Sequence, residues 1–137
     1  MKKLSLLLIT IFSVVSVFAQ TKTLEFKETK HTFGKIKQGS PVTHVFAFKN
    51  LAAKPVVIES ANAECGCTTP VYPKGVIAKG ASNSLKVTYN AEAMGAFTKK
   101  VTVKLANIAE PIILTIDGEV IDAKATAAKP KAKPAKS

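Results

Sequence analysis

The sequence contains no arginine, although it has 20 basic residues against 9 acidic ones and a formal net charge of +11. Every basic residue is therefore a lysine. Lysine lacks the planar fork of donors with which arginine binds guanine edges and phosphates. The absence of arginine argues against specific nucleic-acid binding, in spite of the positive charge.

Histidine is also scarce, since His31 and His44 are the only two in the chain. No Gly-x-Ser-x-Gly, metalloprotease or phosphate-loop pattern occurs. Paired-carboxylate chemistry is not supported either, because the acidic residues are scattered at outward positions, among them Glu25, Glu28, Glu59, Glu64 and Glu119. We therefore expect a protein without enzymatic activity, and we expect His31 to lie at a surface edge.

Long hydrophobic runs are absent except at the N-terminus. There, two lysines precede an uncharged stretch from Leu4 to Val17, and Ala19 precedes Gln20. This order is typical of a secretory signal peptide, and the stretch is shorter than the about 20 apolar residues of a spanning helix. The sequence predicts a signal peptide over residues 1–19, export to the periplasm or the extracellular space, and no transmembrane segment afterwards.

Apolar and polar residues alternate through the rest of the chain up to residue 122. In one segment His44, Phe46 and Phe48 share a face. Such alternation, with β-branched and aromatic residues on the buried face and turn residues between segments, is typical of strands. The sequence predicts one antiparallel β-sandwich over residues 20–122, with about seven strands: Leu24–Glu28, Thr32–Ile36, Thr43–Lys49, Val56–Ser60, Ser84–Asn90, Val101–Leu105 and Ile112–Asp117.

The last segment, residues 123–137, consists mainly of lysine, alanine and proline. It cannot bury enough apolar surface to offset the entropy of ordering, so we expect it to be disordered. One interpretation is a solubilising extension, and the other is electrostatic contact with anionic envelope polymers or lipid headgroups. The candidates for polyanion binding are Lys124, Lys129, Lys131, Lys133 and Lys136.

Several short motifs follow one another in a recognisable order. They are Phe33-Gly34, the aromatic strand from Phe46 to Asn50, Cys65-Gly66-Cys67-Thr68, Lys79-Gly80 where Pro-Gly is usual, Gly95 to Phe97, and Ile116 to Val120. With these motifs the chain resembles the bacterial family called domain of unknown function 1573, over roughly residues 24 to 121. The resemblance implies an immunoglobulin-like sandwich, akin to major-sperm-protein and cilia-associated modules, and it implies no enzymatic activity.

The only two cysteines, Cys65 and Cys67, are separated by one glycine. In an extended strand their side chains would lie about 7 Å apart, whereas a disulfide needs Cβ atoms about 3.8 Å apart. A bond between them would require a sharp bend, which Gly66 allows. A disulfide in so small a ring would be easily reduced. Closing so short a loop would also remove little entropy from the unfolded chain.

Three interpretations of the cysteine pair stay open. They are two small residues at a turn, thiol–disulfide exchange, and binding of a soft metal such as copper(I) or zinc. Two thiolates are too few ligands, and the strand order places His44 near the cysteine loop if Thr43–Lys49 and Val56–Ser60 are consecutive and antiparallel. The metal candidates are therefore Cys65, Cys67 and His44, although His44 also fits a hydrogen-bonded position at the rim of the core.

The function expected from these features is that of an exported, non-enzymatic interaction or structural module of the bacterial envelope. Its partner would be a protein or another envelope component. The alternative function is thiol–disulfide exchange, or copper or zinc binding, through the Cys-Gly-Cys motif. No other cofactor is expected.

Overall fold

A computed structural model describes residues 22–124. The predicted signal peptide, residues 1–19, lies outside the described residues. The predicted disordered tail beyond Lys124 also lies outside them, and it contains Lys129, Lys131, Lys133 and Lys136. The fold is therefore that of the central domain.

Residues 22–124 form eight strands and no helix. The strands make two four-stranded sheets with the orders β1-β3-β6-β5 and β2-β8-β7-β4. The predicted all-β sandwich is confirmed, and each of the seven predicted segments overlaps a strand. The strands are β1 Leu24–Phe26, β2 Lys30–Lys37, β3 Val42–Asn50, β4 Ile58–Ala63, β5 Thr68–Val71, β6 Ser82–Tyr89, β7 Gly95–Leu105 and β8 Ile112–Ile121.

The strand that the sequence did not predict is β5, which follows the cysteines. It is only four residues long and contains Pro70, so it shows no clear alternation. It lies at the edge of its sheet beside β6, where a proline can be accommodated because one side of the strand needs no hydrogen bonds.

One strand pair departs from the expected antiparallel arrangement. β2 runs parallel to β8, and its register shifts between Thr32 and Lys35. Gly34 lies inside this irregularity with a φ of +71°, a left-handed conformation that glycine adopts at little cost. A short connection, residues 27–29, carries the chain from β1 in one sheet to β2 in the other. β2 is an edge strand, because it pairs only with β8 in its sheet.

The core lies between the two sheets, as the alternation predicted. Phe46 and Phe48 of β3 are buried against residues of β6 and of the opposite sheet. Tyr89 and Phe97 stack with ring centroids 4.0 Å apart. Since burying one large apolar side chain contributes about 1.5–3 kcal/mol, this layer supplies most of the favourable free energy of folding.

Candidate functional site

The cysteine turn, Cys65 to Cys67, lies where the chain crosses from β4, an edge strand of one sheet, to β5, an edge strand of the other. It therefore lies at one lateral edge of the sandwich. Cys65 and Cys67 are joined by a disulfide, with their Cα atoms 5.2 Å apart. The Thr68 N–H donates to the Cys65 carbonyl oxygen at 3.3 Å, which closes a four-residue turn, and the Asn90 N–H donates to the Cys67 carbonyl oxygen at 3.0 Å. The turn is therefore fixed to the end of β6.

The Thr68 side chain contacts both sulfurs of the disulfide. It is buried, at 4% exposure, and its hydroxyl oxygen lies 3.8 Å from the Cys65 sulfur and 3.7 Å from the Cys67 sulfur. Because disulfide sulfurs carry no proton, the hydroxyl is the donor in these weak contacts. Both cysteines are half-buried, so solvent and a partner thiol can approach the bond from one side.

The bend at Gly66 does not depend on glycine, contrary to the expectation from the sequence. Its φ lies outside the left-handed region, and a Cβ built there would meet no atom within 4 Å. The turn itself brings the two Cα atoms into the 4.4–6.8 Å range that a disulfide requires.

The structure does not bring His44 together with the cysteines. His44 lies on β3, and β6 separates β3 from β5, which puts the two strands about 10 Å apart. The imidazole contacts the opposite lateral edge of the sandwich, where its Nε2 donates to the Glu28 carboxylate at 2.7 Å. These contacts agree with the interpretation of His44 as a hydrogen-bonded residue at the rim of the core.

A cluster that the sequence analysis did not identify surrounds His44. The His31 ring of β2 stacks on the His44 ring, with centroids 3.5 Å apart and planes 8° apart. Glu28, in the connection between β1 and β2, completes the group, and one ligand atom from each of the three residues lies within 4.8 Å of the others. We call Glu28, His31 and His44 the histidine cluster.

The sequence carries a signal for this cluster that depends on strand phase. His31 precedes Phe33 by two residues, as His44 precedes Phe46, so each histidine shares a face with an aromatic residue. The structure shows the result, because the His31 ring meets Phe33 edge-on at 4.8 Å and the His44 ring meets Phe46 edge-on at 4.7 Å. His31 does lie on an edge strand, but its ring turns toward the gap between the sheets.

Burial lowers the pKa of His31 from its ordinary value, and the nearby His44 lowers it further. Glu28 and Asp117 act in the opposite direction, and the Asp117 carboxylate is itself paired with the Lys30 ammonium at 2.7 Å. The net direction is downward, because burial and His44 outweigh the two carboxylates.

The backbone of β3 is uncovered over part of its outer edge. β1 pairs with β3 only at Phe48, Lys49 and Asn50, and the Lys27 N–H donates to the Ala47 carbonyl oxygen at 3.0 Å. Since alternate residues of a strand direct their backbone groups to the same side, those of Val45 also point outward. No strand of residues 22–124 pairs there.

The base of the lysine-rich tail lies at the same end of the sandwich as the cysteine turn. The Gln38 N–H donates to the Ile121 carbonyl oxygen, and the Gly39 N–H donates to the Ala91 carbonyl oxygen next to Asn90. Of the candidate polyanion-binding lysines, only Lys124 falls within the described residues, and it is exposed. Over residues 22–124 no helix is long and apolar enough to span a membrane.

Comparison with solved structures shows the same sandwich in several proteins. A Porphyromonas gingivalis W83 protein of unknown function is 17% identical with a TM-score of 0.63, over 72% of this chain and 46% of that protein. This chain thus spans less than half of it. The ASH/PapD-like domain of human CEP192 is 11% identical with a TM-score of 0.63, over 75% of this chain and 88% of that domain.

A third similar structure is the YadV chaperone, which is 13% identical with a TM-score of 0.53, over 82% of this chain and 55% of the chaperone. At such low identities these likenesses show the fold, which is immunoglobulin-like. No curated protein matches the sequence significantly. The sequence pattern of the family described as "Protein of unknown function (DUF1573)" matches residues 24–120, and the chain therefore belongs to that family.

Proposed function

We propose that this protein is an exported, non-enzymatic interaction module of the bacterial envelope, which binds a protein partner by adding the partner's strand to β3. The observation that carries the proposal is the uncovered edge of β3 at Thr43 and Val45. An unpaired row of backbone donors and acceptors pairs readily with an extended peptide. The signal-like N-terminus supports export, and an exported protein would meet its partner outside the cytoplasm.

Three of the four strands at the sheet edges carry features that oppose strand addition, and the fourth, β1, is only three residues long. β5 contains Pro70, β4 has a register shift between Ile58 and Ser60, and β2 has one between Thr32 and Lys35. Prolines, bulges and lysines are devices that keep sheet edges from pairing. The uncovered part of β3 has none of them.

Side chains beside this edge of β3 suit a peptide ligand. Val45 is 45% exposed, and the Thr43 and Thr88 hydroxyls are hydrogen-bonded at 2.8 Å on the outer face of the sheet. A partner strand would gain backbone hydrogen bonds and one apolar contact, which favours an extended and moderately apolar segment. The likeness to a chaperone supports a protein as the partner, and the lysine-rich tail would add contact with anionic surfaces.

Replacing Val45 with proline is expected to abolish binding at this edge. The substitution removes the outward N–H but no hydrogen bond to β6, because Val45 does not direct its backbone toward β6, so the fold should persist. With a photo-crosslinker at Thr43 in the producing cells, we expect a discrete adduct that Val45→Pro removes and the control Val45→Thr keeps. An adduct insensitive to Val45→Pro, or none at all, would contradict the proposal.

A second candidate function is thiol–disulfide exchange at the cysteine turn. The observation that favours it is a disulfide that closes a very short loop on an accessible connection. Such a loop adds only about 1–2 kcal/mol through unfolded-chain entropy, so stability alone gives little reason for the bond. Copper or zinc binding by these cysteines would require prior reduction, because a disulfide offers no thiolate.

The double substitution Cys65→Ser with Cys67→Ser tests this second candidate. We expect a loss of stability of at most about 2 kcal/mol, together with loss of mixed-disulfide formation with a small thiol such as glutathione. Intact-mass measurement after thiol alkylation reads out the second effect. If the wild-type bond resists glutathione over hours under conditions that reduce an unstrained reference peptide disulfide, the exchange function is wrong.

A further inference from the structure

We propose that the histidine cluster, Glu28, His31 and His44, binds a divalent first-row transition metal ion, with Zn²⁺ as the reference ion. Two imidazoles and one carboxylate form a ligand set that zinc commonly uses, with open positions taken by water. The site is distinct from the cysteine turn and from the backbone edge of β3.

The distances within the cluster are close to those that one ion requires. With zinc bonds of about 2.0–2.1 Å and tetrahedral angles, ligand atoms lie about 3.3 Å apart. One ligand atom from each of the three residues lies within 4.8 Å of the others, and Glu28 Oε1 lies 2.7 Å from His44 Nε2. The two imidazole rings are stacked nearly parallel, with planes 8° apart. Binding therefore needs a tilt of the rings and a small outward movement of the carboxylate.

The proton on His44 Nε2 is what the ion would replace. In the metal-free cluster this proton lies between the imidazole and the carboxylate. When the ion binds, the proton leaves to solvent, and both atoms become ligands. The net positive charge of the ion is then balanced in part by Glu28, whose side chain is 46% exposed.

The strands and aromatic residues around the cluster keep the two histidines close together. His31 and His44 come from β2 and β3, which belong to different sheets, so the ion would join the sheets at one lateral edge. Edge-on contacts with Phe33 and Phe46 position both rings at that edge.

Titration calorimetry with Zn²⁺, on protein purified without a histidine tag, tests the proposal. We expect one ion per chain, and we expect His31→Gln and Glu28→Gln each to weaken binding by at least about tenfold, since even second-shell changes at zinc sites cost 10–100-fold. Glu25→Gln is the matched control, because it removes an exposed acid of β1 without touching the cluster, and its affinity should be unchanged.

Absorption spectra with Co²⁺ separate this site from the cysteines. The histidine cluster should give visible ligand-field bands without a sulfur-to-metal charge-transfer band, and the spectrum should be the same in the Cys65→Ser, Cys67→Ser variant. Absence of Zn²⁺ binding, binding that survives both cluster substitutions, or binding that requires the cysteines would each overturn the proposal. Glu28→Gln keeps the test decisive if His31→Gln perturbs the fold, because Glu28 lies outside the strands.

Discussion

Replacing Asn50 with alanine is expected to lower the free energy of unfolding by about 3–5 kcal/mol. Asn50 is fully buried at the end of β3. Its amide nitrogen lies 3.2, 2.9 and 3.2 Å from the carbonyl oxygens of Lys54, Ile77 and Ala78, and its Oδ1 accepts the Ala52 N–H at 2.9 Å. One side chain thus forms hydrogen bonds with the backbone of two loops, the one that follows β3 and the one that precedes β6.

The large expected effect arises because alanine removes every side-chain contact at once. The Ala52 N–H and the Lys54 carbonyl oxygen lose their partner. The carbonyl oxygens of Ile77 and Ala78 each lose one hydrogen bond and keep a second from the N–H groups of Val56 and Ala81. Each buried polar group that loses its hydrogen bond costs about 1–3 kcal/mol. The segment also depends on the Asn50 backbone, whose carbonyl oxygen accepts the Gly80 N–H at 2.9 Å, and this bond survives the substitution. The loss therefore falls on the side-chain contacts alone.

Urea unfolding followed by circular dichroism measures the effect, with two informative comparisons. Asn83→Ala removes an exposed asparagine whose only side-chain bond is to the adjacent Ser84 N–H at 2.8 Å, so it should change stability by less than about 0.5 kcal/mol. Asn50→Asp keeps the shape of the side chain but replaces the amide N–H donors with a carboxylate oxygen, which would face three carbonyl oxygens. A cost for Asn50→Ala no larger than that for Asn83→Ala would contradict this account.

The role of Asn50 illustrates which parts of the fold the sequence predicts. The phase of Phe46 and Phe48 identifies the buried face of β3 directly, because alternation reports the side of a sheet. In the sequence, Asn50 stands out only as the last residue of the motif from Phe46 to Asn50, which resembles the family, and its burial is not predicted. Its partners lie 2 to 28 residues away in two loops, and loop conformations are not encoded by periodicity.

The candidate sites show the same division between local and distant information. The cysteine turn could be located from the sequence because both sulfurs lie within three consecutive residues. The histidine cluster joins residues 3 to 16 positions apart, on β2, on β3 and in the connection between β1 and β2. The assignment of strands to sheets therefore decides whether they meet. The expected proximity of His44 to the cysteines failed for that reason, since β6 inserts between β3 and β5.

Gly118 is the second position at which a small substitution should have a large effect. A Cβ built there would lie 2.8 Å from the Gly34 carbonyl oxygen of β2 and 3.0 Å from two ring carbons of Phe97. Relief would require movement of the β2 backbone or of a ring that also stacks on Tyr89. We expect Gly118→Ala to cost about 1–3 kcal/mol, as overpacking of a close-packed site does.

Gly66→Ala is the matched control, because a Cβ there meets no atom within 4 Å, and it should stay within about 0.5 kcal/mol of the wild type. A double-mutant cycle with Phe97→Leu separates the two contacts. In the Phe97→Leu background the cost of Gly118→Ala should fall but not vanish, because the Gly34 carbonyl oxygen belongs to the backbone and cannot be shortened. Equal costs in both backgrounds would assign the whole effect to the β2 backbone, and no cost in either would show that the pairing of β2 with β8 is not this close.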